Sequence, residues 1–141
     1  GSLVTRHIAD STIGAYAHED YLHRRGIPQK SADLLQHDLI GFDQGDLIIR
    51  GFQEIGLSIA REAFAIRSDD HLVLWEALRA GLGIGFAGTW LGDKEPGVQR
   101  VLPKVTVSMP IWLTVHREIR SSARIRAVYD FLAKAIPEAL A

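Results

Sequence analysis

Histidines and acidic residues lie close together in His18-Glu19-Asp20-Tyr21-Leu22-His23, a composition that could serve a metal ion. Helical zinc sites of hydrolases place two histidines four residues apart, with a glutamate between them as general base. His18 and His23 are five residues apart, so at ~100° per residue their imidazoles diverge by more than a right angle. The segment therefore predicts a helix without a metal site.

A glycine pattern, Gly83-Ile84-Gly85-Phe86-Ala87-Gly88, matches the dinucleotide fingerprint G-x-G-x-x-G letter for letter. That fingerprint works only when a strand precedes the glycines and a helix follows them, with the helix N-terminus facing the pyrophosphate. Here a helix is expected before the glycines, and the apolar residues between them form the strand. The glycines are interpreted as permitting a tight turn and close backbone packing.

Catalytic patterns are equally weak in this sequence. There is no cysteine and no Gly-x-Ser-x-Gly elbow, and the histidines are scattered without evident partners. Asp69-Asp70-His71 could suggest an acid/base pair, but its position before a helix favours N-capping first and ligand binding second. The sequence predicts neither an enzyme nor a cofactor.

Charge and hydropathy limit the possible partners. The 141 residues include 16 basic and 17 acidic side chains, giving a net charge of −1. A nucleic-acid-binding domain usually shows a clustered basic excess, which is missing here. The basic stretch at 117–126 is interpreted as a solvated helix entrance. Apolar runs are too short to cross a membrane, and the lack of cysteine weakly favours an intracellular, cytoplasmic protein.

Short strands and helices alternate along the chain, which predicts an α/β fold with at least part of the sheet parallel. Strands are predicted at 12–16, 39–42, 47–52, 63–67, 84–87, 98–102 and 111–115. Helices are predicted at 18–25, 69–80, around 90–91 and at 122–136, the last ending at Pro137. In such sheets ligands gather at the carboxyl ends of strands, beside helix N-termini.

Three stretches, in order along the chain, resemble the effector-binding (co-inducer) domain of LysR-type transcriptional regulators. They are 12–22, 67–86 with Ala80-Gly81-Leu82-Gly83-Ile84, and 110–132. Two positions depart from the family pattern: Gly88 stands where proline is usual, and His18-Glu19 replaces Ser-Pro. These departures concern the local loop shapes.

The resemblance implies a fold like that of type 2 periplasmic binding proteins, in which two α/β lobes are joined by crossover strands. The Gly1-Ser2 pair by itself is typical of an expression-tag remnant, and on the resemblance 3–141 would be a partial effector-binding domain. On that template 12–16 crosses into the second lobe, 17–109 forms that lobe completely as a mixed sheet with flanking helices, and 110–116 crosses back. The helix at 117–141 would be the C-terminal part of the first lobe, whose remainder lies upstream.

The resemblance also implies a small-molecule effector bound between the lobes. DNA would be contacted only through an upstream helix-turn-helix, and the whole regulator would be a homodimer or homotetramer without a membrane partner. Asp43 and Asp69 would repel an anionic effector, which favours a neutral or cationic one. The candidate effector-binding residues are Ala17, His18, Phe42, Asp43, Gln44, Ser68, Asp69, Pro110 and Ile111.

Two other functions remain open at this point. A solute-binding protein of a transport system has the same fold and differs in what accompanies it: a signal peptide rather than a helix-turn-helix. An enzyme is a more distant alternative, since no acid, base and nucleophile converge in the sequence.

Overall fold

The computed structural model describes residues 2–141, so the part of the predicted tag remnant at position 1 lies outside the described residues. The chain divides into two compact units. One is Ile13–Val107, called here the central unit. The other combines Gly1–Thr12 with Ser108–Ala141 and is called the split unit.

Six strands and five α-helices follow one another along the described chain, in alternation except where β6 comes directly after β5. The strands are β1 (Leu3–His18), β2 (Leu39–Gly41), β3 (Phe64–Arg67), β4 (Gly85–Gly88), β5 (Val98–Val101) and β6 (Val107–His116). The helices are α1 (Glu19–Arg25), α2 (Leu47–Glu54), α3 (His71–Arg79), α4 (Thr89–Gly92) and α5 (Ala123–Leu140). Short 3-10 helices occupy Ser31–Gln36, Arg61–Ala63 and Arg117–Ile119.

The central unit is built on a mixed sheet. The second half of β1 pairs antiparallel with β4 on one side and with β5 on the other. On the far side, β2 and β3 are parallel, and a parallel bridge between Leu39 and Ile84 links them to the segment entering β4. The partly parallel α/β sheet predicted from the sequence is thus confirmed.

Helices cover this sheet with apolar side chains. Helix α1 buries Tyr21 and Leu22, and α3 buries Ala77 and Leu78. Phe52 of α2 meets Phe86 edge to face, with ring centroids 5.5 Å apart. Edge-to-face aromatic pairs add to the gain from area burial. These contacts give the central unit its own hydrophobic core.

The glycines between α3 and β4 serve the close packing that the sequence predicts. Gly81 has a φ of +76°, a backbone conformation that residues with a Cβ rarely adopt. A Cβ on Gly85 would lie 2.8 Å from Cδ1 of Leu78, and one on Gly83 would collide with the carbonyl oxygen of Asp38. The G-x-G-x-x-G stretch is therefore a packing feature in this fold.

The split unit consists of the first half of β1, strand β6 and helix α5. β6 pairs with β1, and the N–H of Arg117 donates to the carbonyl of Ser2 at 2.7 Å. Side chains of β6 alternate between half-buried and exposed along the whole strand. Among the described residues of this unit, only Ser11 is buried.

One predicted strand is wrong. Residues 47–52 form helix α2 rather than a strand. The adjacent isoleucines Ile48 and Ile49 suggest a β-branched run. In the structure the apolar side chains share one face of the helix, and Phe52 on that face is buried in the core. Asp46 supports the helix through an i,i+4 ion pair with Arg50 at 3.3 Å.

The ends of three other elements differ from the prediction by more than two residues. Strand β1 begins at Leu3 rather than 12, and β6 begins at Val107 rather than 111. The outer halves of both strands lack a continuous apolar run, so the sequence pattern does not indicate them. Helix α5 continues through Pro137 to Leu140. Proline lacks an N–H and removes one hydrogen bond, which the last turn of the helix tolerates here.

Candidate functional site

The predicted loops after β2 and β3 lie together at one edge of the central sheet. Phe42, Asp43 and Gln44 follow β2, whereas Ser68 and Asp69 follow β3. Because β2 and β3 are parallel, their carboxyl ends lie at the same edge. The loops are joined directly by the N–H of Ser68, which donates to the carbonyl of Gly41 at 3.2 Å.

The carboxylate of Asp69 is the main connection between these loops. Its oxygens accept the backbone N–H groups of Asp43 at 3.1 Å, Gln44 at 3.0 Å and Gly45 at 3.1 Å. The three consecutive N–H groups of residues 43–45 are called the amide nest below. Hydrogen bonds from Gly45 and Gln44 hold the pKa of Asp69 below its usual value of 3.8, with smaller help from Asp43 and Arg61.

The side chains on the first loop form a short polar chain. Gln44 donates through Nε2 to Oδ2 of Asp43 at 3.0 Å. Arg61, from the 3-10 helix before β3, donates to Oε1 of Gln44 at 3.1 Å. The carboxamide of Gln44 is thus oriented between an anion and a cation.

The second loop leads directly into helix α3. Ser68 Oγ accepts the N–H of Asp70 at 3.1 Å. The carboxylate of Asp70 accepts the N–H of Leu72 at 2.9 Å and that of Val73 at 3.4 Å. The capping role predicted for the Asp69-Asp70 pair therefore belongs to Asp70 alone, which satisfies amides at the helix N-terminus.

An apolar surface adjoins the polar loops. Phe42 is buried and meets the ring of His71 edge to face, with centroids 5.1 Å apart. Leu72, on the first turn of α3, is 74% exposed, and Val73 is 49% exposed. The edge thus combines hydrogen-bonding loops with uncovered apolar side chains.

Ala17 and His18, predicted from the strand that enters the second lobe, have structural contacts. Ala17 is fully buried in β1 and pairs with Gln99. His18 is the N-cap of α1, since its Nδ1 accepts the N–H of Asp20 at 3.0 Å. A Cβ on Gly97 would lie 2.8 Å from Nε2 of His18, so the other side of the ring is closely covered. A role for these two residues in ligand binding stays a prediction.

Pro110 and Ile111 belong to β6 of the split unit. Pro110 is exposed and Ile111 is half-buried, in the alternation that runs along this strand. Their role in effector binding also stays a prediction.

Three residues at the loop edge were missed by sequence reasoning: Gly45, Arg61 and His71. Gly45 was visible as the glycine after Asp43-Gln44, where a turn would expose backbone N–H groups. Arg61 carried no such signal, because it lies in a segment without clear periodicity. His71 was noted only as part of an acid/base pattern, whereas it packs on Phe42.

The split unit has an open cavity of its own, of about 480 Å³. Its lining includes Arg6 on β1, Val115 on β6 and Tyr129 on α5. Arg120 and Arg126, from the predicted basic stretch, also line it, and Asp130 provides an acid.

Neither a metal-ion cluster nor a membrane-spanning helix is present in residues 2–141. Across that range, no three His, Cys, Asp or Glu side chains are grouped closely enough to hold a metal ion. No helix within the described part has the length and apolar character needed to span a membrane.

The mixed sheet with flanking helices is an α/β fold of the periplasmic-binding-protein-like class. The family model for the LysR substrate binding domain matches residues 1–137, and the chain belongs to that family. The family and fold class predicted from the three sequence stretches are therefore confirmed.

Solved structures of regulators share this fold. The regulatory domain of CrgA, a LysR-type transcriptional regulator from Neisseria meningitidis, is 22% identical with a TM-score of 0.81, covering 100% of this chain and 70% of that one. The effector domain of AmpR from Pseudomonas aeruginosa is 21% identical with a TM-score of 0.72, covering 99% and 67%.

Full-length AphB, a virulence activator from Vibrio cholerae, is 19% identical with a TM-score of 0.68. That match covers 94% of this chain and 47% of AphB. No curated protein matches the chain.

Proposed function

We propose that this chain senses a small-molecule effector within a LysR-type transcriptional regulator, and that the loops after β2 and β3 receive the effector. The observation that carries the proposal is that Asp69, after β3, accepts hydrogen bonds from the loop after β2, at the carboxyl edge of these parallel strands. Ligands of α/β sheets collect at such edges, and the family membership supplies the regulatory context.

The mechanism requires no chemistry on the effector. A ligand shifts an equilibrium between two arrangements of a regulator only as far as its affinities for the two arrangements differ. In this proposal the loops contribute that difference through Gln44, Ser68 and the apolar surface beside Phe42. The chain acts as a sensor rather than as an enzyme, and in the whole regulator it works in the cytoplasm.

We also propose that the chain comprises one complete lobe and the C-terminal part of another. Residues 12–16 and 110–116 would be crossover strands, 17–109 the second lobe, and 117–141 the C-terminal helix of the first lobe. The division of the chain at Ile13 and Val107 into compact units supports it. DNA binding through a separate helix-turn-helix, with assembly into dimers or tetramers, would complete the regulator. The solute-binding alternative rests on the shared fold alone.

A thermal-shift screen tests the proposal on this chain. The compounds form three sets of small organic molecules: neutral, cationic and carboxylate. We expect a compound that raises the Tm of the wild type, because a ligand of the native state stabilises it by mass action. The same compound should no longer do so for the double variant Gln44→Ala/Ser68→Ala.

The matched control is Gln53→Ala/Ser121→Ala, which removes the same side-chain types at exposed positions on α2 and before α5. The control should respond like the wild type. An equal response of the loop double variant and the wild type would contradict the assignment of these loops.

A further inference from the structure

The amide nest has the geometry of an anion site. Consecutive backbone N–H groups that converge on one point bind phosphates and carboxylates in many proteins. Here Asp43, Gln44 and Gly45 supply three such groups, each 3.0–3.1 Å from a carboxylate oxygen. The anion that fills the nest is the chain's own Asp69, from a loop more than twenty residues further along.

An effector carboxylate would compete for the same place. Its two oxygens would need the N–H groups that Asp69 already holds, and like charges within ~4 Å repel each other. Asp43 places a further negative charge on the rim of the nest, with Nε2 of Gln44 bonded to it. A carboxylate could enter only if Asp69 left.

The groups that remain available at this edge suit a different ligand. Ser68 Oγ accepts the N–H of Asp70, and its O–H remains a donor. The carboxamide of Gln44 can serve as donor or acceptor, and His71 and Leu72 offer apolar surface. These are partners for hydroxyl, amide or cationic groups.

We infer that Asp69 is a built-in carboxylate that fills the amide nest, positions the loop after β2 against the start of α3, and excludes an effector carboxylate from this edge. Asp69 is thus a positioning and specificity-determining residue. The positioning role stands on the described contacts alone, whereas the specificity role rests on the proposed function of the loops.

Chemical rescue tests the positioning role without any effector. Asp69→Ala removes the carboxylate and leaves the nest empty, and formate is small enough to replace it. We expect the variant to show a lower Tm than the wild type. Sodium formate should then raise its Tm more than sodium chloride does at equal concentration, because both salts screen charge alike.

Asp43→Ala is the matched control. It removes a neighbouring acid whose carboxylate accepts only the side chain of Gln44 in the described contacts, so formate and chloride should act on it equally. The wild type should also show no preference for formate. Asp69→Ala without a formate-specific gain, or with wild-type Tm, would overturn the inference.

A measurement on the wild type keeps the inference testable if Asp69→Ala does not fold. In a series of ¹H–¹⁵N spectra at falling pH, the amide signals of Asp43, Gln44 and Gly45 should shift together, with one midpoint below the ordinary 3.8 of an aspartate. Independent midpoints for the three amides, or no shift, would refute the nest.

The specificity role is tested with the carboxylate compounds of the thermal-shift screen. Asp69→Ala should gain carboxylate binders that the wild type does not bind. If formate rescue succeeds but no gain appears, the specificity role is wrong and the positioning role stands. Loss of response in Gln44→Ala/Ser68→Ala is a separate result, so failure of the proposed function is distinguishable from failure of this inference.

Discussion

The two units of this chain differ sharply in how they are stabilised. The central unit buries two clusters of apolar side chains, one that includes Ile84 and one that includes Tyr16 and Leu78. The 18-residue helix α5 of the split unit has no buried residue, and its Phe131 is 68% exposed. Burial of apolar surface is the dominant favourable contribution to folding. The stability of the chain is therefore concentrated in the unit that holds the candidate site.

Strand β1 shows the same contrast within one element. Residues 14–17 are buried and lie between β4 and β5, whereas residues 3–10 are exposed or half-buried. A single strand can thus belong to a packed core at one end and to a ribbon at the other. We therefore expect substitutions of similar kind to change the free energy of unfolding by different amounts in the two units.

The largest expected difference is between core truncations. Leu78 is 1% exposed and packs against Gly85, so Leu78→Ala should lower the free energy of unfolding by about 2–5 kcal/mol. Phe131→Ala on α5 should change it by less than about 0.5 kcal/mol, as exposed substitutions usually do. Urea denaturation of both variants measures the two values. Similar losses of unfolding free energy in both variants would contradict the proposed difference in stability between the two units.

A smaller difference in the free energy of unfolding is expected when the buried Tyr16 and the half-buried Tyr129 are each changed to phenylalanine. Tyr16 is fully buried and donates to Oδ1 of Asp93 at 2.7 Å, while Arg100 also binds Asp93. Burial, then the bond to Asp93, raises the pKa of Tyr16 to about 12. Tyr16→Phe should cost about 1 kcal/mol, the usual net value of such a bond.

Tyr129→Phe is the counterpart in the split unit, because Tyr129 lines the open cavity there. Its effect in the same urea measurement should be near zero. A larger loss for Tyr129→Phe than for Tyr16→Phe would show that the split unit holds a core after all.

The smallest effect is a pH dependence that originates in the central unit. Tyr21 accepts the N–H of Asp38 through its hydroxyl, which lies 2.8 Å from Nδ1 of His37. Burial, helped by the charge of Arg25, lowers the pKa of His37 below 6.5. As the pH falls, His37 is therefore protonated in the unfolded chain before it is protonated in the folded chain.

Stability should therefore decline as the pH drops below about 6.5, and this contribution should level off once the folded histidine is also protonated. His37→Asn should flatten that part of the profile of unfolding free energy against pH. An unchanged slope in the variant would contradict the role of His37.

The sequence predicted the central unit better than the split unit, for a physical reason. Buried strands and capped helices leave strong patterns: Ile84 to Ala87 is an apolar run, and Gly26 ends α1 after Arg24 and Arg25. Half-buried ribbons leave weak ones, so the first half of β1 was missed. The error at α2 arose because Ile48 and Ile49 suit a strand locally, whereas packing of Phe52 selects the helix.

The candidate site was predictable only in outline. Parallel strands place Gln44 and Ser68 at one edge, which a sequence pattern can indicate. The hydrogen bonds of Asp69 to residues 43–45 depend on tertiary geometry, and the residue types alone suggested a helix cap instead.

The most direct test of the account is to locate bound compounds by ¹H–¹⁵N spectroscopy on this chain, using hits from the neutral and cationic sets of the thermal-shift screen. We expect shift changes concentrated at residues 42–45 and 68–73 of the central unit. Changes concentrated instead at Arg6, Arg126 and Tyr129, around the cavity of the split unit, would contradict it.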